Sequence, residues 1–283
     1  MEYTHKQIAK MYETQHTSIR KLARELNISP DKVRWALKKY NIHKVQNHSD
    51  FPEYRKHQLD LHYFDKIDRE DKAYYLGYIY ADGYVNDRCM RLCLHNQDIH
   101  ILKSFCKYLG SDEAIIKPFQ DKYSALIVNG KEFAKSLHKQ GAIQAKTKIL
   151  VPPDLSNDMI PHFIRGYFDG DGSIWFDKSA NSYRVQFIGT KPMLEYIEHF
   201  FGIETKFRTA TKDGLIYRYG FAGNKKITEA FSKIYKDATV YLFRKHDKYL
   251  HCKELFEYKE QHRNEIWTNN LGSYAHKSIK QSL

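Results

Sequence analysis

The sequence predicts an α+β chain of two halves with the same element order, set behind a small all-α unit. Three observations predict it. The first 45 of 283 residues place apolar side chains at helical spacing and hold ten Lys and Arg against four Asp and Glu, half of the formal charge of +12. From about residue 71 to 260, helical periodicity is interleaved with strand-like alternation. Within that stretch, residues 75–83 and 164–172 match position for position, and their acids Asp82 and Asp171 stand 89 residues apart.

The N-terminal unit reads as three helices. Ile8 and Met11 mark the first, Ile19, Leu22, Ala23 and Leu26 the second, Val33, Ala36 and Leu37 the third. Thr17 or Ser18 suits the N-cap of the second, and Ser29 followed by Pro30 opens the third, with Asn27-Ile28 as the turn between them. Three short helices with a tight turn before the last describe a helix-turn-helix over residues 1–45. In that arrangement the third helix presents Lys32, Arg34, Trp35 and Lys38 to a major groove of DNA. The segment resembles the helix-turn-helix units of bacterial regulators and recombinases.

Residues 46–70 are polar, His-rich and aperiodic, which predicts a linker. Beyond it, strands are expected over 90–94, 125–128, 183–188 and 216–222, and helices over 99–109, 130–139, 191–201 and 224–234. The halves run from 71 to 155 and from 156 to 260, and 261–283 is a polar tail.

Composition narrows the partners. A hydrophobic content of 42% excludes a disordered chain, and no run of 18 apolar residues predicts a membrane span. Residues 1–10 lack the apolar core of a signal peptide, so a cytoplasmic location is expected. Cys89, Cys93, Cys106 and Cys252 lack metal-knuckle spacing and read as buried thiols. The positive excess points first to nucleic acid.

The repeated nonapeptide carries the chemistry. Gly77 and Ala81 in the first copy, and Gly166 and Gly170 in the second, lie four apart on a helix face and let another backbone come close. Glycine inside a helix costs about 1 kcal/mol against alanine, so that packing must offset it. Gly83 and Gly172 suit the left-handed position past each helix end. Asp82 and Asp171 then terminate two helices that meet, each facing the negative end of a dipole and each other. The dipole alone disfavours each by about 0.3–1 kcal/mol. A divalent cation relieves both penalties, and carboxylate, phosphate and water oxygens suit magnesium.

The two nonapeptides resemble the LAGLIDADG motif, and the chain is similar to single-chain homing endonucleases that carry it twice. The second copy is a close match. The first departs at its sixth position, where Tyr80 replaces an acid, and at its first, where Tyr75 replaces Leu. The resemblance covers about 190 residues. It implies two αββαββα halves, each with a curved antiparallel sheet, forming a saddle over double-stranded DNA.

It also implies residue roles. Asp82 and Asp171 become the catalytic metal ligands for Mg2+. A basic residue in each half acts on water and phosphate: Lys146, with Lys148 in reserve, in the first half, and Lys245 or Arg244 in the second. A polar residue after the second strand of each half positions water: Asn96 or Gln97, and Thr190 beside Gly189. Arg88, Arg91, His95, Arg184, Gln186, Arg208, Lys212, Arg218 and Tyr219 sit in or beside the strands and face the grooves.

The expected function is site-specific double-strand DNA cleavage by a monomer. A DNA-binding regulator that does not cut, or an RNA maturase assisting intron splicing, would use the same scaffold. Retention of both acids argues against the first. The helix-turn-helix argues against the second, since the RNA major groove is too deep and narrow for a helix. An intein is disfavoured, because the sequence opens on Met1 and closes on Gln281-Ser282-Leu283.

Overall fold

The computed structural model describes residues 3–15, 18–42, 57–144 and 148–263. Three helices come first: α1 (His5–Gln15), α2 (Ile19–Glu25) and α3 (Pro30–Lys39). Ser18 and Ser29 cap the second and third, accepting from Lys21 N at 3.1 Å and Lys32 N at 3.2 Å, and Pro30 takes the first helical position. Thr17 lies outside the described residues. Asn27, at φ 52°, turns the chain between these helices in the left-handed region that its short side chain tolerates. Ile8, Tyr12, Leu22, Val33 and Leu37 bury into a core separate from that of the larger body.

The expected linker is shorter than 46–70. Residues 43–56 lie outside the described residues, but Leu61, Tyr63 and Phe64 are buried in the core of the body. Phe64 packs edge-on to Phe105 and Phe133, and its carbonyl accepts from the Gln140 amide at 3.0 Å. Three apolar side chains in a non-helical, polar run carry no periodic signal.

The body is two αββαββα units. The first comprises α4 (Glu70–Asp82), β1 (Tyr84–Val85), β2 (Cys89–His95), α5 (Ile99–Tyr108), β3 (Ile116–Phe119), β4 (Tyr123–Asn129) and α6 (Lys131–Lys139). The second comprises α7 (Ile160–Asp171), β5 (Ser173–Asp177), β6 (Ser182–Gly189), α8 (Lys191–Phe201), β7 (Arg208–Thr209), β8 (Tyr217–Ala222) and α9 (Asn224–Tyr235). Each makes a four-stranded antiparallel sheet, in the orders β1-β2-β4-β3 and β5-β6-β8-β7. The α+β class and the duplicated architecture are as expected. One long helix was not: α10 (Phe243–Gln261) follows the second unit and buries only Lys245, Tyr249 and Cys252. So narrow an apolar stripe gives little amphipathic signal.

Strand alternation sends Met90, Leu92 and Leu94, and likewise Val185 and Phe187, into the core beneath helices α5 and α8. The other face of each sheet stays open. Tyr219, expected on the open face, belongs to the inner one: it is fully buried and its hydroxyl donates to Ile203 O at 2.9 Å. Among the described residues no helix is long and apolar enough to cross a membrane.

Candidate active site

Helices α4 and α7 meet at the seam between the halves, and their packing obeys a two-fold relation. A Cβ on Gly77 would strike the carbonyl of Phe163 and come within 2.9 Å of Tyr167 N; one on Gly166 would strike the carbonyl of Tyr74 and come within 2.9 Å of Tyr78 N. The third residue of each nonapeptide thus meets the same two residues of the other half, the one just before its nonapeptide and the fourth within it. Backbone meets backbone, and only glycine fits. Nearer the helix ends, Gly170 rests on Ala81.

Gly83 and Gly172 are extended rather than left-handed, with φ −75° and −82°. Their requirement is space. A Cβ on Gly83 would lie 2.7 Å from Ile79 O, and one on Gly172 would lie 2.5 Å from Phe168 O and overlap the Phe168 ring.

This packing sets Asp82 and Asp171 at the last residues of α4 and α7, both exposed. Asp82 Oδ2 lies 3.4 Å from where a Cβ on Gly170 would stand, so it rests against the last turn of α7, one residue from Asp171. Two neighbouring groups feel both acids. The Tyr167 hydroxyl is held well above its ordinary pKa by burial, then by Asp171 and Asp82. Burial pushes the Lys245 ammonium down to about 8, while Asp169, Asp82 and Asp171 pull it back.

Lys245 is 4% exposed, and its Nζ donates to the carbonyls of Phe168 (2.6 Å), Asp169 (2.8 Å) and Gly172 (2.5 Å). The ammonium closes the C-terminal end of α7, where helix carbonyls lack internal partners and the dipole favours a cation. Beside it Asp169 is 1% exposed; Oδ2 accepts from Tyr74 OH and Leu242 N, both at 2.8 Å. Burial pushes its carboxyl up to about 6. Tyr80, at the equivalent position of the first copy, donates its hydroxyl to Gln140 O at 2.6 Å. Each sixth-position side chain therefore ties its helix to the chain that leaves the last helix of its own half. One does so as donor, the other as acceptor, which explains why Tyr stands where an acid was expected.

Lys146 lies outside the described residues. Lys148 is half-exposed and ion-paired to Asp213 at 2.6 Å. Arg244 crosses the seam to Asp98 at 3.2 Å, and next to it Phe243 stacks on His100 at 3.9 Å. Asn96 and Gln97 form an exposed turn after β2, in which Asn96 Oδ1 accepts from Ser124 Oγ at 2.8 Å. Thr190 is placed otherwise than expected. It is buried at the N-terminus of α8, and its hydroxyl donates to Leu150 O at 2.5 Å, so it faces the core and is closed to solvent.

A second buried network, centred on a residue not among those expected at the site, joins the halves. Arg165 is 0% exposed; Nε donates to Val240 O at 3.0 Å and Nη2 to Glu70 Oε1 at 2.6 Å. Glu70 also accepts from Thr239 N at 2.7 Å. Arg165 stands where the motif's small second residue belongs, and that mismatch was the available signal.

The open sheet faces hold most of the remaining expected residues. Arg184, Gln186 and Arg218 project from the open face of the second sheet, with Arg208 at its edge. Together with Trp175 and Lys206 they line a concavity of about 450 Å3. Arg184 is paired to Asp177 at 2.6 Å. On the first sheet, Arg91 lies between the rings of Tyr84 (5.3 Å) and Phe119 (5.4 Å), while Arg88 sits in the exposed turn before β2 and His95 ends that strand. Lys212 is exposed in the loop before β8. All four thiols are free, yet only Cys106 and Cys252 are buried; Cys89 and Cys93 line the open face of β2. On α3, Arg34 pairs with Asp31, and Trp35 is 62% exposed beside His5. Lys32 and Lys38 lie on the same helix outside its buried stripe.

No protein-family model matches the sequence. The replication factor C small subunit of Methanocaldococcus jannaschii is 30% identical over 111 residues, which is 37% of this chain and 6% of that protein's length. Among solved structures, the chain is similar to the meganuclease I-SmaMI bound to uncleavable DNA, with 13% identity, 71% of this chain and 97% of that one covered, and a TM-score of 0.48. It is also similar to the LAGLIDADG homing endonuclease I-GzeII in complex with its DNA target, with 13% identity, 74% and 96% covered, and a TM-score of 0.47. I-SmaMI bound to uncleaved DNA in the presence of calcium ions gives 13% identity, 73% and 96%, and 0.47.

Proposed function

We propose that the chain is a metal-dependent endonuclease that cuts double-stranded DNA at a specific site, as a monomer in the cytoplasm. The observation that carries this reading is the placement of two exposed carboxylates, Asp82 and Asp171, at the ends of two helices packed backbone to backbone. Carboxylates brought together at the negative ends of two helix dipoles favour a bound cation. The motif's resemblance to the LAGLIDADG family points the same way.

The donors fit a hard divalent cation. Asp82 and Asp171 supply charged oxygens, and the Lys245 ammonium, whose charge both acids favour, donates to backbone carbonyls. Among the described residues no cluster of three or more His, Cys, Asp or Glu side chains could hold a metal, and water and DNA phosphate are proposed as further ligands. Magnesium bound there supplies Lewis acidity at the scissile phosphate and lowers the pKa of water.

The chain's own residues do the rest. Asp82 and Asp171 fix one ligand position per strand. Lys245 holds the end of α7, and with it the Asp171 carboxylate, in place. Lys146 is assigned the basic role in the first half, and Gln97, exposed after β2, orients the attacking water. The open sheet faces seat the duplex, with Arg88, Arg184 and Arg208 toward phosphate. The N-terminal helices extend the contact as a helix-turn-helix, α3 entering a major groove through Lys32, Arg34, Trp35 and Lys38.

The test is incubation of the full chain with a randomised duplex pool, in magnesium and separately in calcium. Cleaved ends recovered in magnesium support the reading. Binding without cleavage in both metals favours a non-cutting regulator, and preference for structured RNA favours a maturase.

A further inference from the structure

The two open faces carry unlike side chains at equivalent places, and strand register defines the equivalence. Arg91 of β2 pairs with Tyr84, two residues past Asp82, and on its other side with Ile127. Gln186 of β6 pairs with Ser173, two residues past Asp171, and on its other side with Gly220. Arg91 and Gln186 are therefore mirror-related about the seam. One row further along, Cys93 pairs with Ala125 and Ala125 with Lys117, while Ile188 pairs with Arg218 and Arg218 with Arg208. Ala125 and Arg218 are mirror-related too.

Two features mark these arginines as readers. The Arg91 guanidinium lies within cation–π range of two aromatic rings, Tyr84 and Phe119, contacts that restrict it before any ligand arrives. Arg218 stands directly opposite Arg208, and among the described residues neither has an acidic partner. Like charges opposite each other destabilise an antiparallel pair, so folding alone does not favour them. Arg218 is on the inner strand β8, away from the sheet edge where phosphates would pass. Ala125, 1% exposed, offers nothing to a base.

From this we infer a specific asymmetry in the DNA target, resting on the double-strand DNA reading above. Arginine contacts guanine through O6 and N7, and glutamine contacts adenine through N6 and N7. At the mirror-related pair of positions read by Arg91 and Gln186, the target has guanine in the first half-site and adenine in the second. Arg218 adds a guanine in the second half-site, at a position whose mirror under Ala125 is unspecified.

The experiment is selection of bound duplexes from a randomised pool by the full chain in calcium, repeated with Arg91→Gln and Arg218→Ala. The wild-type base matrix is expected to be non-palindromic at these positions. Arg91→Gln should replace one guanine by adenine in a single half-site, with a preference of roughly tenfold. Arg218→Ala should erase one guanine in the other half-site and leave the first unchanged. A palindromic matrix overturns the inference, and so do variants that weaken binding equally on all sequences with a shallower salt slope, since those are phosphate contacts. Retained duplex binding with either result leaves the nuclease reading standing. Failure to bind duplex at all overturns both.

Discussion

Lys245 donates from Nζ to the Gly172 carbonyl at 2.5 Å, and Gly172 directly follows Asp171. One buried cation thus fixes the end of the helix that presents an acid of the candidate site. Lys245→Met keeps the apolar stem and strands several helix-end carbonyls. We expect a loss of about 3 kcal/mol in stability, read by urea unfolding. DNA cleavage should fall about a hundredfold, because a small displacement of Asp171 misplaces the reacting geometry. Site affinity should change little. Loss of binding in step with cleavage would contradict the assigned role.

The seam makes its own prediction. Gly166→Ala sets a methyl group against the Tyr74 carbonyl, and neither helix can yield without moving the other. Destabilisation of about 3 kcal/mol or more is expected, at the upper end for overpacking. Gly202→Ala is the control: it meets nothing within 4 Å, but its φ of 67° brings backbone strain of only about 1 kcal/mol.

Asp169 gives a pH signature. Burial raises its folded-state pKa to about 6 from an ordinary 3.8. Between those values the folded chain binds more protons than the unfolded one, so the contribution of Asp169 to stability is complete below about pH 4 and is lost as pH rises through about 6. Relative to Asp169→Asn, the wild-type chain should lose about 2–3 kcal/mol across that window. Parallel stability curves for the two proteins from pH 4 to 7 would show that the carboxyl titrates normally.

Much of this architecture was legible in the sequence, and the legible parts share a cause. The nonapeptides announced α4, α7 and their close approach, because only glycine at fixed spacing permits backbone contact. The edge strands β1, β3, β5 and β7 were not individually placed: at two to five residues they are too short to show clear alternation. Asp82 and Asp171 could be placed because helix ends follow from the motif. Tyr219 could not, since one residue of register decides which face a strand side chain takes, nor could Thr190, which turns inward to Leu150 O where the chain enters α8. The buried role of Lys245 was equally hidden. A lysine reads as surface until the carbonyls that hold it are known.

The N-terminal helices have a core of their own, so they can be removed without opening that of the body. Deleting residues 1–45 should weaken DNA binding and flatten its salt dependence, by a slope of about 0.9 for each phosphate that α3 and its neighbours neutralise. The scissile positions should not move. Unchanged affinity and slope would exclude DNA binding by α3.

The central claim is best tested by Asp82→Asn and Asp171→Asn, each assayed on a plasmid bearing a site selected by the wild-type chain. Each variant should retain site affinity within a few-fold and lose linearisation of the plasmid in magnesium. If either variant cuts both strands at the wild-type rate, the two carboxylates are not the catalytic pair.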